Sequence, residues 1–258
     1  MYDIIAVRGR QAAAEAISRL EAVDIDGFRP VAVAELGGGR SLTPRIFLPG
    51  SPPQGRTSRA DRPTPAGRLA IAVASCRRDR AADRQPLTDC GGDVLVVYSG
   101  TIDNAADVRT ALAAAGHQFV SGDDGEIIPH AIEEALNRGE GAFQAFQTAV
   151  QRLRGAWAVA ALIARHNSVF IARFGSPLSV RGTVGRCVVA TNPAATEGVR
   201  GPLRILEDGS IAELGTAWRW AGAPGRPPPP ARAVDNGPHW TASTANGWTH
   251  SEGTLQHH

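Results

Sequence analysis

Asp93-Val94-Leu95-Val96-Val97-Tyr98-Ser99-Gly100-Thr101-Ile102-Asp103-Asn104 is the stretch on which the fold turns. Its first half, Asp93 to Tyr98, is apolar and β-branched and reads as a strand. Asp103 or Asn104 then offers an N-cap for a helix from Asn104 to Ala115, with Gly116 as its stop. Two more helices follow, Gly125 to Asn137 and Phe143 to Leu153. Downstream, Ala156 to Ile163, Ser168 to Arg173, Leu178 to Arg181 and Cys187 to Ala190 read as strands separated by tight turns. Leu203 to Leu206 and Ser210 to Leu214 flank Glu207-Asp208-Gly209, a hairpin signal.

Upstream, Tyr2 to Val7, Val31 to Leu36 and Leu69 to Ser75 read as strands, and Ala12 to Ala22 as a helix, with Ala13, Ala16, Ile17 and Leu20 at helical spacing. Helices grouped between two strand-rich regions predict an α+β layered domain rather than a parallel βαβ repeat. The stretch Pro49 to Pro65 is rich in Pro, Arg, Ser and Thr, and a mobile surface loop is expected at about 49–66. Gly37-Gly38-Gly39 lacks the strand–helix context of a phosphate loop and reads as a turn. The domain is predicted to span 1–220, and 221–258, with Pro227-Pro228-Pro229-Pro230, a tail or linker.

Composition excludes several classes. A 43% hydrophobic and 20% charged chain of 258 residues is long enough to bury a core. A formal net charge of +2 argues for neither a nucleic-acid nor a membrane partner. Every basic residue is Arg, so no side-chain amine is available for Schiff-base chemistry. Cys76, Cys90 and Cys187 have no metal-like spacing, so no metal and no cofactor are expected. Their odd number argues against a disulfide framework. MYDIIAVRGR lacks the pattern of a signal peptide, and no run is long and apolar enough to span a bilayer, so a cytoplasmic protein is expected. The terminal His257 and His258 receive no role.

Five strings, in one order, carry a family resemblance. They are Tyr98 to Asn104; Ser121-Gly122-Asp123-Asp124-Gly125-Glu126-Ile127-Ile128-Pro129-His130 with Ile132-Glu133-Glu134; Arg152-Leu153-Arg154-Gly155-Ala156-Trp157-Ala158; Gly175-Ser176-Pro177-Leu178; and Leu206-Glu207-Asp208-Gly209. Together they resemble the glutaminase domain of glucosamine-6-phosphate synthase, a class II glutamine amidotransferase, over roughly residues 2 to 215. The resemblance implies the N-terminal-nucleophile hydrolase fold, a four-layer αββα sandwich.

It also implies a site, which this sequence departs from. The family's nucleophile is a cysteine at the head of the mature chain, with its own α-amine as base. The matching position is Tyr2, followed by Asp3 where the family has Gly, and a phenol with a pKa of about 10 is a poor acyl acceptor at neutral pH. Met1 is expected to stay before so large a residue and block the α-amine. The family's substrate loop falls at Ala72-Val73-Ala74-Ser75-Cys76 or one residue later, without its Arg-Trp pair. Ser99 replaces an oxyanion-hole Asn, a donor whose loss typically costs about 2.7–4 kcal/mol. Gly100, the backbone donor, and Asp124, the partner of the glutamine ammonium, are kept. Asp26 and Arg29, in Ile25-Asp26-Gly27-Phe28-Arg29, exchange acid and base relative to the family string. That exchange is read either as drift under retained pairing or as a rebuilt pocket.

No catalytic residue is therefore assigned; Cys76, beside Arg77 and Arg78, is a candidate replacement nucleophile or an incidental buried thiol. The candidate ligand-binding set is Asp124, Gly100, Ser99, Tyr98, Arg29 and Asp26. Cys90, Cys187 and His130 are read as structural. The Arg77, Arg78, Arg80 and Arg84 cluster, interleaved with Asp, reads as a solvated face. Two functions remain open: a pocket recruited for another small amine-bearing molecule in a specialised biosynthetic pathway, or a non-catalytic subunit for a partner carrying a sugar-isomerase or synthase domain.

Overall fold

A computed structural model describes residues 2–22, 29–36, 44–47, 68–75 and 85–221. For Tyr2, Ser75, 29–36 and 44–47 it describes the backbone alone. The expected loop at 49–66 and the tail from 222 onward lie outside the described residues, as do Asp26, Cys76 and the Arg77 to Arg84 cluster.

The chain order is β1 (Tyr2–Arg8), α1 (Ala12–Ala22), β2 (Arg29–Leu36), β3 (Pro44–Phe47), β4 (Leu69–Ser75), β5 (Leu87–Thr88), β6 (Val94–Ile102), α2 (Ala105–Ala114), α3 (Ile127–Asn137) and α4 (Ala142–Gln151). It continues through β7 (Gly155–Ile163), β8 (Val169–Phe174), β9 (Ser179–Thr183), β10 (Arg186–Ala190), β11 (Leu203–Ile205), β12 (Ile211–Leu214) and β13 (Trp218–Ala221). A seven-stranded sheet runs β11-β9-β10-β1-β4-β2-β3, and a six-stranded sheet runs β13-β12-β8-β7-β6-β5. Neighbouring strands pair antiparallel in both.

Period-two alternation explains why the sheets stack with helices outside. In β4, Leu69, Ile71 and Val73 face the second sheet, while Ala70, Ala72 and Ala74 face α1. Small residues on that outer face let the helix, with Ala12, Ala13, Ala16 and Leu20, lie close against it. In β6, Leu95 and Val97 point between the sheets, whereas Val94, Val96 and Tyr98 meet the helices. Both faces of these strands are buried, which is why they read as unbroken apolar runs. The result is three apolar layers: α1 on sheet, sheet on sheet, and sheet on α2–α4. This is the αββα sandwich expected from the resemblance.

Two expectations are corrected. Residues 203–206 and 210–214 do not form a hairpin: β11 pairs with β9 in one sheet and β12 with β8 in the other. The turn between them is tight, with Ser210 N–H donating to Glu207 O and Gly209 at φ 76°. Its side chain and backbone bind elsewhere, because Asp208 accepts from Arg173 and from Gly175 N–H, and Gly209 N–H donates to Arg173 O. The turn therefore carries the chain from sheet to sheet. The second correction is three short strands, β3, β5 and β13, at segments assigned to loop or left unread; each has two to four residues, too few to show a period.

Candidate functional site

The middle of β6 is held from both sides. Gln85, 1% exposed, accepts from Tyr98 N–H at 2.8 Å and donates to Tyr98 O at 3.1 Å. These groups face away from β7, and strand alternation turns the Gly100 N–H to that same outer side. Gly100 pairs with Trp157 of β7 at φ 118°, and an added Cβ there would overlap the carbonyl oxygen of Ala156. Only glycine fits both the conformation and the approach.

The string around Asp124 is organised by its neighbours. Buried Asp123 caps a single 3-10 turn, Asp124–Glu126, accepting from Gly125 N–H and from the Tyr98 hydroxyl, both at 2.8 Å. Gly125 rests on the Tyr98 ring, where a Cβ would collide with ring carbons. Glu126 accepts from Val120 N–H, Ser121 N–H and the Ser121 hydroxyl. Burial opposes its ionisation, but these hydrogen bonds and nearby Arg109 outweigh it and hold the carboxyl below its usual range. Arg109 also donates to Ser121 O and Asp123 O. Against this frame Asp124 stands exposed beside β6. The structure thus groups Tyr98, Ser99 (buried), Gly100 and Asp124; Asp123, Gln85 and Arg109 are supports that sequence reading missed.

The other candidates meet at one end of the seven-stranded sheet. Ser75, at the end of β4, pairs with Tyr2 on one side and with Arg29 on the other. The expected substrate loop, Ala72 to Ser75, is here the last stretch of β4. Asp3 is half-buried, accepting from the Thr191 hydroxyl at 2.9 Å. Burial raises its carboxyl above the usual range, partly offset by that hydrogen bond. Cys187 lies in the core between the sheets, where burial pushes its thiol up to about 12, so it is an inert packing group.

Cys90 is not a plain loop thiol. Its sulfur lies 3.5 Å from His130 Nδ1 and 3.7 Å from His117 Nδ1, and Glu133 Oε2 lies 3.0 Å from His117 Nδ1. His130, read as a packing residue, is indeed buried, with its ring edge-on to Phe119 at 4.6 Å, but it also faces this group. Spacing among sulfurs cannot reveal the cluster, since three of its four members are not cysteine. The sequence signal that points to it is His130-x-x-Glu133, one face of α3.

With this geometry in place, comparison with known proteins assigns the class. A family model described as a glutamine amidotransferase domain matches residues 67–195, half of the chain. The chain belongs to that family. It is similar to the glutamine--fructose-6-phosphate aminotransferase (isomerizing) of Sulfurisphaera tokodaii, 41% identical over 107 residues, covering 42% of this chain and 18% of that protein. The enzyme of the same name from Aeropyrum pernix is 37% identical over 169 residues, covering 62% and 27%. The chain therefore spans less than a third of the length of either relative. Among solved structures, the glutamine phosphoribosylpyrophosphate amidotransferase of B. subtilis superposes with a TM-score of 0.67 at 18% identity, covering 85% of this chain and 49% of that one. That likeness establishes the N-terminal-nucleophile hydrolase fold. No helix among the described residues is long and apolar enough to cross a membrane.

Proposed function

We propose that this chain is an amidotransferase-type domain that does not hydrolyse glutamine and whose pocket takes a different small amine-bearing molecule. The observation that carries the reading is Tyr2 at the head of β1, where glutamine hydrolysis in this family requires a cysteine. A thiolate attacks an amide because it is both nucleophilic and, beside a base, readily formed; a phenol of pKa about 10 is neither at neutral pH. Asp3, Ser99 and the absent Arg-Trp pair move in the same direction. What persists is the amine-recognising half of the pocket. Asp124 is exposed on a turn braced by Asp123 and Tyr98, and Gly100 keeps the backbone conformation that presents its N–H. Asp124 pairs with the ligand's ammonium, and the Gly100 N–H donates to a carbonyl or carboxylate oxygen.

Purified protein incubated with glutamine is expected to release no ammonia and to resist labelling by an electrophilic glutamine analogue. Turnover that Cys76→Ala removes would overturn the proposal. A thermal-shift panel of amino acids and amino sugars is expected to yield a stabilising amine whose effect Asp124→Ala abolishes. Stabilisation unchanged in Asp124→Ala would remove Asp124 from the site.

A further inference from the structure

We propose that Cys90, His117, His130 and Glu133 form a structural zinc(II) site that ties the turn between β5 and β6 to α2 and α3. The four side chains offer one sulfur, two imidazole nitrogens and one carboxylate oxygen, all within 4.8 Å of one another. Tetrahedral zinc, with bonds of about 2.0–2.3 Å, sets neighbouring ligand atoms roughly 3.3–3.6 Å apart. The edges here are 3.5 Å (Cys90 Sγ to His130 Nδ1), 3.7 Å (Cys90 Sγ to His117 Nδ1), 3.4 Å (His130 Nδ1 to Glu133 Oε2) and 3.0 Å (His117 Nδ1 to Glu133 Oε2). Both histidines present the same nitrogen, Nδ1, to the common centre.

The surroundings are those of a metal site rather than of a chance contact. A ligating imidazole is oriented by a hydrogen bond from its other nitrogen, most often to a carboxylate. His117 Nε2 lies 3.1 Å from Glu134 Oε2. His130 Nε2, buried and without a hydrogen-bond partner among the described residues, lies 3.8 Å from Glu126 Oε1. Gln118 N–H donates to the Cys90 sulfur at 3.5 Å. A thiolate and one carboxylate balance the charge of a divalent ion, leaving a neutral site.

Each ligand is placed by a rigid local device. At the end of α2, Gly116 N–H donates to Ala113 O and His117 N–H to Leu112 O, with Gly116 at φ 98°. That paired capping motif fixes where His117 emerges. Asp89 shapes the Cys90 turn by accepting from Val94 N–H at 2.9 Å. His130 and Glu133 share one face of α3. The ion would thus join three segments next to β6.

The full chain, stripped of metal by dialysis against a chelator, is titrated with cobalt(II). One equivalent is expected to give a thiolate-to-cobalt charge-transfer band and intense visible bands of tetrahedral cobalt, both displaced by zinc(II), and zinc is expected to raise Tm. Cys90→Ser removes the charge-transfer band, while Cys76→Ser and Cys187→Ser retain it. His117→Gln weakens cobalt binding at least tenfold, and Glu134→Gln weakens it by about tenfold while keeping the band. Metal-free Cys90→Ser should melt with metal-free parent; if it does not fold, loss of affinity in His117→Gln carries the test. Absence of the charge-transfer band in the parent, or its survival in Cys90→Ser, overturns the proposal.

Discussion

Gly100 combines two constraints that only a residue without a side chain satisfies: a left-handed φ of 118° and a backbone carbonyl where a Cβ would sit. Gly100→Ala is expected to destabilise the protein by about 3 kcal/mol, read from denaturant midpoints. Asp3 permits a prediction with a definite sign. Its carboxyl is held above its ordinary pKa by burial, so the folded state binds that proton more tightly than the unfolded state. The associated stability is complete below the unfolded pKa and is lost as pH rises through the folded value. Asp3→Asn removes the dependence, so its Tm relative to the parent should climb as pH rises above about 4, the ordinary Asp value. A difference that stays flat, or that shrinks with pH, contradicts the assignment.

At the scale of elements, α4 shows how helical spacing becomes core. Ala142, Phe143, Ala145, Phe146, Ala149 and Val150 form its buried face, and Phe146 is fully enclosed with its ring 5.7 Å from Phe170 of β8. Phe146→Ala is expected to cost about 3–5 kcal/mol in chemical denaturation, since packed neighbours cannot close the space. Periodicity made such elements legible: the predicted helix at 12–22 coincides with α1, and the strand at 69–75 with β4. The pairing of elements was less legible. Glu207-Asp208-Gly209 is a good turn, yet turn chemistry dictates only that the chain reverses, not which strand receives each arm. Here Arg173 and Gly175 capture Asp208 from outside the turn, a contact that no local window contains. The candidate site divides the same way. Gly100 and Asp124 are singled out by their strings as candidates, whereas Gln85, Asp123, Arg109 and His117 become visible only when segments far apart in sequence meet.

Across the whole molecule, the layer between the sheets draws on β1, β4, β9 and β10 from one sheet and β6, β7, β8 and β12 from the other. Neither sheet keeps a covered inner face without its partner. Heat or denaturant is therefore expected to produce one transition, with far-ultraviolet dichroism and tryptophan fluorescence superimposing. Non-coincident curves would show that one sheet survives alone. Gln85 matters at this scale too. By engaging both the N–H and the C=O of Tyr98 with a single amide, it plays the part of one residue of a neighbouring strand just beyond the two-residue β5. Gln85 is buried, so its amide there answers two main-chain groups that would otherwise lose water without gaining a partner, and the strand is finished by a side chain where a backbone neighbour is lacking.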